Sequence, residues 1–143
     1  MDKDLKRAIE HELKYLSEYR ARLEQLKLDL LDKGSGPAVM SRSTFPSDPT
    51  CIKALRFMDI NTKISSLEMR IKRIEIAVKS LPKPEYELIR MRYFVGMGYN
   101  NGDVMNLLGI SMRNYYYIRN RAFMHIADFI GEKKLLEWQK KKI

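Results

Sequence analysis

The sequence has few of the residues that build disulfides and metal sites. It contains a single cysteine, Cys51, and two histidines, His11 and His125. One cysteine excludes an intramolecular disulfide, and this small set leaves no Cys- or His-rich ligand cluster for a metal. No Gly-rich phosphate loop, paired-carboxylate site or nucleophile elbow is visible either. We therefore expect no enzymatic activity, no metal and no cofactor.

Long apolar runs are also missing, so the sequence predicts no membrane span. The first twelve residues, MDKDLKRAIEHE, are too charged for a signal peptide, which favours a cytoplasmic protein. Positive charge, by contrast, is in excess: 27 Lys and Arg against 18 Asp and Glu give a net charge of +9. This excess favours a polyanionic partner such as nucleic acid. The hydrophobic fraction of 45% is large enough for a packed core.

Proline and glycine are absent from residues 4–32 and 50–81 but cluster between them, in residues 33–49. This distribution predicts two long helices joined by a flexible linker. The first helix has an apolar stripe that runs from Leu5 to Leu30, and the second has a strict heptad seam. The seam consists of Ile60, Ile64, Leu67, Ile71, Ile74, Val78 and Leu81. The two helices could pair as a hairpin, or the seam could form a coiled coil with a second copy.

Residues 103–115 have the layout of a helix-turn-helix. A short helix ends at Gly109, which permits the left-handed backbone of a tight turn, and Ser111 can cap the helix that follows. Three apolar residues are expected to hold the two helices together: Leu107, Leu108 and Ile110.

The helix after Ser111 is predicted to extend to Ile130, with one face inward and one outward. The predicted inward residues are Tyr115, Ile118, Ala122, Ile126 and Phe129. The outward face and the cap combine three arginines with polar and aromatic side chains, and no acid lies between Asp103 and Asp128. Such a helix can read base edges and bind phosphates of double-stranded DNA. The candidate DNA-binding residues are Ser111, Met112, Arg113, Asn114, Tyr116, Tyr117, Arg119, Asn120 and Arg121.

Residues 81–126 resemble region 4 of bacterial sigma factors. The similarity lies in the Leu-Pro before an acidic helix start, the motif Arg-x-Arg-Tyr-Phe in residues 90–94, and Leu-Leu-Gly-Ile-Ser at the turn. Met105 and Tyr115 depart from the small and aliphatic residues usual there. The wider stretch of residues 50–130 is similar to the ArpU/RinA-type phage transcriptional regulators. This resemblance implies control of phage or prophage late genes, and we expect that control to be positive.

Together these features predict an all-α protein with three parts. Residues 1–81 form a helical hairpin or oligomerisation region with the linker, residues 82–131 a region-4-like helix-turn-helix domain, and residues 132–143 a basic tail. The leading hypothesis is a sequence-specific DNA-binding transcriptional regulator that acts as a homodimer, because two binding units on a symmetric site multiply affinity. The alternatives are a small-terminase-like DNA-packaging protein and a sigma-like adaptor that binds RNA polymerase.

Overall fold

A computed structural model describes residues 2–40, 48–94 and 99–141, with side chains described from 2–32, 51–94 and 99–141. Throughout these residues the regular structure is helical, which confirms the predicted all-α fold. The helices are α1 (Lys3–Lys14), α2 (Leu16–Met40), α3 (Asp48–Lys79), α4 (Lys83–Ile89), a π-helix (Arg90–Phe94), α5 (Asn101–Leu108), α6 (Met112–Ile130) and α7 (Glu132–Lys140). In this part of the chain, no helix has both the length and the hydropathy of a membrane span.

The helices extend into the predicted linker from both sides. Helix α2 continues to Met40 and α3 begins at Asp48, so helical backbone occupies both ends of residues 33–49. A proline keeps a φ close to the helical value and removes one backbone hydrogen bond, so α2 can continue through Pro37 at that cost. Residues 41–47 lie outside the described part of the chain.

The chain divides into two compact units. The hairpin unit comprises Ser17–Ile71, and the large unit comprises Met1–Leu16 together with Lys72–Ile143. The predicted first helix is thus interrupted: α1 ends at Lys14, with Tyr15 as its C-cap, and its residues belong to the large unit rather than to the hairpin.

In the hairpin unit, the first half of the heptad seam is buried. Four seam residues of α3 are buried together with two residues of α2: Ile60, Ile64, Leu67 and Ile71, with Tyr19 and Leu26. Near one end of the hairpin, Arg70 Nη2 donates a hydrogen bond of 3.0 Å to Tyr19 Oη, and the guanidinium lies 4.7 Å from the centre of that ring. Because an early residue of α2 contacts a late residue of α3, the helices are antiparallel. The seam is therefore buried within one chain, as in the hairpin alternative.

The large unit has its own core, and the apolar face of α1 is part of it. Helix α1 packs on α6, α7 and the π-helix, and α4 packs on α6. The apolar side chains of α1 predicted to face a long partner helix are instead buried here: Leu5, Ile9 and Leu13. The predicted basic tail also joins this core, because α7 buries Leu135 completely.

The buried seam predicts a large cost for a cavity in the hairpin. We expect Leu67→Ala to lower the free energy of unfolding by about 2–5 kcal/mol, because a buried leucine loses its contacts and leaves a cavity. Leu28→Ala, at an exposed position of α2, should change it by no more than about 0.5 kcal/mol. Urea unfolding followed by circular dichroism measures both. Equal stability of the two variants would contradict the buried seam.

Candidate nucleic-acid interface

Helix α5 has a defined beginning and end. At its start, the Asn100 side chain accepts a hydrogen bond of 2.8 Å from the Asp103 amide, and the Asp103 carboxylate accepts one of 3.3 Å from the Asn100 amide. This reciprocal capping box satisfies two amide groups that the helix itself leaves free. At its end, Gly109 takes φ +64°, in the left-handed region, as the sequence predicted.

Helix α6 begins as predicted, directly after Ser111. The Ser111 hydroxyl accepts a hydrogen bond of 3.2 Å from the Asn114 amide, which caps the first turn. The next two residues, Met112 and Arg113, are exposed on that turn. The capped end of α6 therefore presents its first side chains to solvent.

One side chain, Asn101, connects three elements next to this turn. Its Oδ1 accepts a hydrogen bond of 2.9 Å from Arg92 Nε of the π-helix and a second bond from the hydroxyl of Tyr115 in α6. Burial raises the pKa of Tyr115, while the nearby Arg92 acts in the opposite direction, so the hydroxyl stays protonated and donates. The Arg92 side chain is thus hydrogen-bonded within the protein. Tyr115 is fully buried, as expected.

A buried acid on α4 holds the opposite side of α6. Glu85 is only 5% exposed, and its Oε2 accepts a hydrogen bond of 2.6 Å from His125 Nδ1. Its Oε1 lies 3.5 Å from Arg121 Nε. A buried carboxylate needs such partners, since an unpaired charge in the interior is costly. These contacts fix α4 against α6, and sequence reasoning did not identify them.

The nine candidate residues divide into two groups by exposure. The exposed ones are Ser111, Met112, Arg113, Asn114, Tyr117 and Arg121. The half-buried ones are Tyr116, Arg119 and Asn120. The amide oxygen of Asn120 is itself buried without a hydrogen-bond partner, so that atom does not face solvent. The accessible part of the predicted interface lies on the first turns of α6.

The three arginines of α6 differ in the contacts that their side chains make. The guanidinium of Arg119 lies over two aromatic rings, 4.8 Å from the centre of Tyr116 and 5.3 Å from that of Phe123. Arg121 donates a hydrogen bond of 3.0 Å to the Tyr117 hydroxyl, in addition to its contact with Glu85. Arg113 has no ion pair or hydrogen bond from its side chain to any described residue. It is the arginine of α6 that is free to bind a ligand.

Two details of the predicted packing are wrong. Phe129 is 51% exposed rather than inward and Ile118 is half-buried, whereas Phe123, Ala127 and Ile130 are buried. A row with steps of three and four drifts around a helix with 3.6 residues per turn, so its last member has rotated out of the core. At the turn, Leu107 is 57% exposed, because α5 instead buries Val104 on its inward side.

Helix α1 supports this arrangement from behind. The Tyr93 hydroxyl in the π-helix donates a hydrogen bond of 3.2 Å to Glu10 Oε1, and burial, reinforced by the Glu10 charge, raises the pKa of Tyr93. On the other side, His11 Nδ1 of α1 lies 3.4 Å from Gln139 Nε2 of α7. No group of three His, Cys, Asp or Glu residues among those described is placed to bind a metal ion.

Comparison with known proteins returns no match. No protein-family model matches the sequence, and neither a curated protein nor a solved structure is detectably similar to it. The functional assignment therefore depends on the residues and geometry described above.

The Glu85 contacts predict that this carboxylate stabilises the large unit. We expect Glu85→Ala to lower the free energy of unfolding by about 1–3 kcal/mol, because His125 and Arg121 lose their buried acceptor. Urea unfolding of the full chain is the measurement. Glu87→Ala is the matched control, since Glu87 lies in the same helix and its side chain has no ion pair among the described residues. A smaller effect for Glu85→Ala than for Glu87→Ala would refute this role.

Proposed function

We propose that the protein is a sequence-specific, double-stranded-DNA-binding transcriptional regulator of the ArpU/RinA type. In this proposal it activates late genes of a phage or prophage in the bacterial cytoplasm and acts as a homodimer. The observation that carries the proposal is the capped start of α6, where Ser111 closes the turn and Arg113 is exposed, with no ion pair or side-chain hydrogen bond to a described residue.

The chemistry of this end of α6 suits a DNA groove. A helix N-terminus favours an anion through its free amides and its dipole, so it can lie against a phosphate. Arg113 can donate two hydrogen bonds to the major-groove edge of guanine, and Asn114 can bond to adenine. The methionine and tyrosine at positions 112 and 117 can contact thymine methyl groups.

The remaining positive charge supports binding without sequence preference. Arg121 is exposed although it contacts Glu85, and the chain as a whole has a net charge of +9. Phosphate contacts of this kind position a protein on DNA and release counterions, so they carry affinity rather than specificity. We assign base reading to Arg113 and phosphate binding to Arg121.

The proposal is tested by selecting bound sites from a random pool of duplex DNA with the purified full chain. We expect an enriched motif, and mapping that motif on the source genome should place it upstream of the regulated genes. Absence of binding to any duplex at low salt would overturn the proposal. If the chain bound RNA polymerase without binding duplex DNA, it would be an adaptor. If it bound duplex DNA as an oligomer of higher order than a dimer, it would be a small-terminase-like protein.

Arg113 provides a sharper test on the selected site. We expect Arg113→Ala to weaken binding to that site by about 1–3 kcal/mol and to change affinity for random duplex DNA much less. Lys133→Ala is the control, because it removes the same charge from an exposed position of α7. Fluorescence anisotropy at fixed salt measures both. An equal loss on selected and random DNA would reassign Arg113 to phosphate binding.

A further inference from the structure

On the face opposite the seam, helix α3 has a second row of residues, which is apolar at both ends and has two small hydroxyl residues in its middle. Within the hairpin unit its members recur at steps of four and three, and all are exposed: Cys51, Leu55, Met58, Thr62, Ser65 and Met69. At 100° per residue, this row lies roughly 160° around the helix from the seam. We call it the outer stripe. The hairpin therefore leaves one heptad row of α3 uncovered after burying the other.

Four of the six residues in the outer stripe are apolar, although all six are exposed. Leu55 and Met58 are each more than 60% exposed, and Met69 is 54% exposed. Single exposed apolar residues are common, but a heptad row about 27 Å long is typical of a helix that packs against another helix. At the middle of the row, the hydroxyl of Thr62 donates a hydrogen bond of 2.9 Å to the Met58 carbonyl oxygen, so it needs no outside partner. With Ser65 beside it, the centre is small enough for close approach.

We propose that the outer stripe binds the outer stripe of a second copy, as a parallel two-stranded coiled coil. In a parallel coiled coil, the residue just before a core residue such as Met69 lies opposite the residue five positions later in the sequence of the other helix. Glu68 then faces Arg73 of the second copy, and the symmetry of the pair repeats this opposite-charge contact. The antiparallel register that aligns Met58 with Met69 would place Glu68 opposite Asn61 instead. Charge complementarity therefore favours the parallel pair.

This inference rests on the homodimer of the proposed function and names its interface. It does not require that the protein bind DNA. The buried seam cannot serve, because Ile60, Ile64 and Leu67 are already buried within one chain. The outer stripe is exposed. Association through it leaves the hairpin and its Arg70–Tyr19 contact intact.

The first test is sedimentation of the full chain at about 10–100 μM. We expect the wild type to be a dimer and Met58→Glu to weaken dimerisation by roughly 100-fold, because two carboxylates would have to lose water in the interface. Leu28→Glu is a matched control, since Leu28 of α2 is 62% exposed and Met58 is 63% exposed. Circular dichroism verifies that both variants keep their helices. A monomeric wild type, or a dimer that Leu28→Glu weakens equally, would overturn the proposal.

The second test uses Cys51 to report the direction of the helices. In a parallel pair the two Cys51 thiols lie in the same layer, whereas in an antiparallel pair they lie far apart. Added oxidised glutathione should join them, taking up the two electrons and two protons that the thiols release, and should double the mass on a non-reducing gel. The crosslink should be absent in Cys51→Ser and strongly reduced in Met58→Glu. A dimer without crosslink would overturn the parallel arrangement.

The two proposals can fail separately. DNA binding of the wild type and of Met58→Glu is measured by fluorescence anisotropy, with a duplex that carries a single copy of the selected motif. A monomeric wild type that binds this duplex would leave the proposed DNA binding standing and overturn the outer-stripe dimer. A wild-type dimer that binds no duplex would support the outer-stripe interface and overturn the proposed DNA binding.

Discussion

The rotation of α6 about its own axis is the constraint on which the candidate interface depends. It is fixed from two sides, by the contact of His125 and Arg121 with the buried Glu85 and by the bond from Tyr115 to Asn101. A buried carboxylate tolerates little displacement, because the loss of a partner leaves its charge uncompensated in the interior. These contacts therefore decide which residues of α6 face solvent, among them Arg113.

The same contacts separate the arginines of α6 by role. A guanidinium that lies over aromatic rings, as Arg119 does, contributes packing as well as charge. Arg121 links α6 to α4 while part of it remains in water. Only Arg113 can rearrange without breaking a contact within the described protein. Its freedom is the property that a base-reading side chain needs, because bidentate contacts require a specific orientation.

Local signals in the sequence were enough to predict the all-α class, the turn and the cap, but not the break between α1 and α2 or the extension of helices into the linker. The heptad row, Gly109 and Ser111 each act over one or two helical turns, so their spacing predicts the seam, the turn and the cap. Contacts between distant segments gave no such signal. Glu85 and His125 are 40 positions apart, and nothing in the spacing of either one indicates the other. The apolar row from Leu5 to Leu13 fits any apolar surface, so its place in the large unit depended on the tertiary packing.

The two apolar faces of α3 explain how one long helix can serve two purposes. Burial of the seam in the same chain makes the hairpin independent of protein concentration, because its partner helix is always present. In the proposed dimer, pairing of the outer stripe with a second copy would follow mass action. If the protein binds DNA as proposed, linking two such surfaces would raise the effective concentration of the second surface on the same DNA. Dimerisation through α3 would thus make the occupancy of a symmetric DNA site depend on the amount of protein, with no change within either fold.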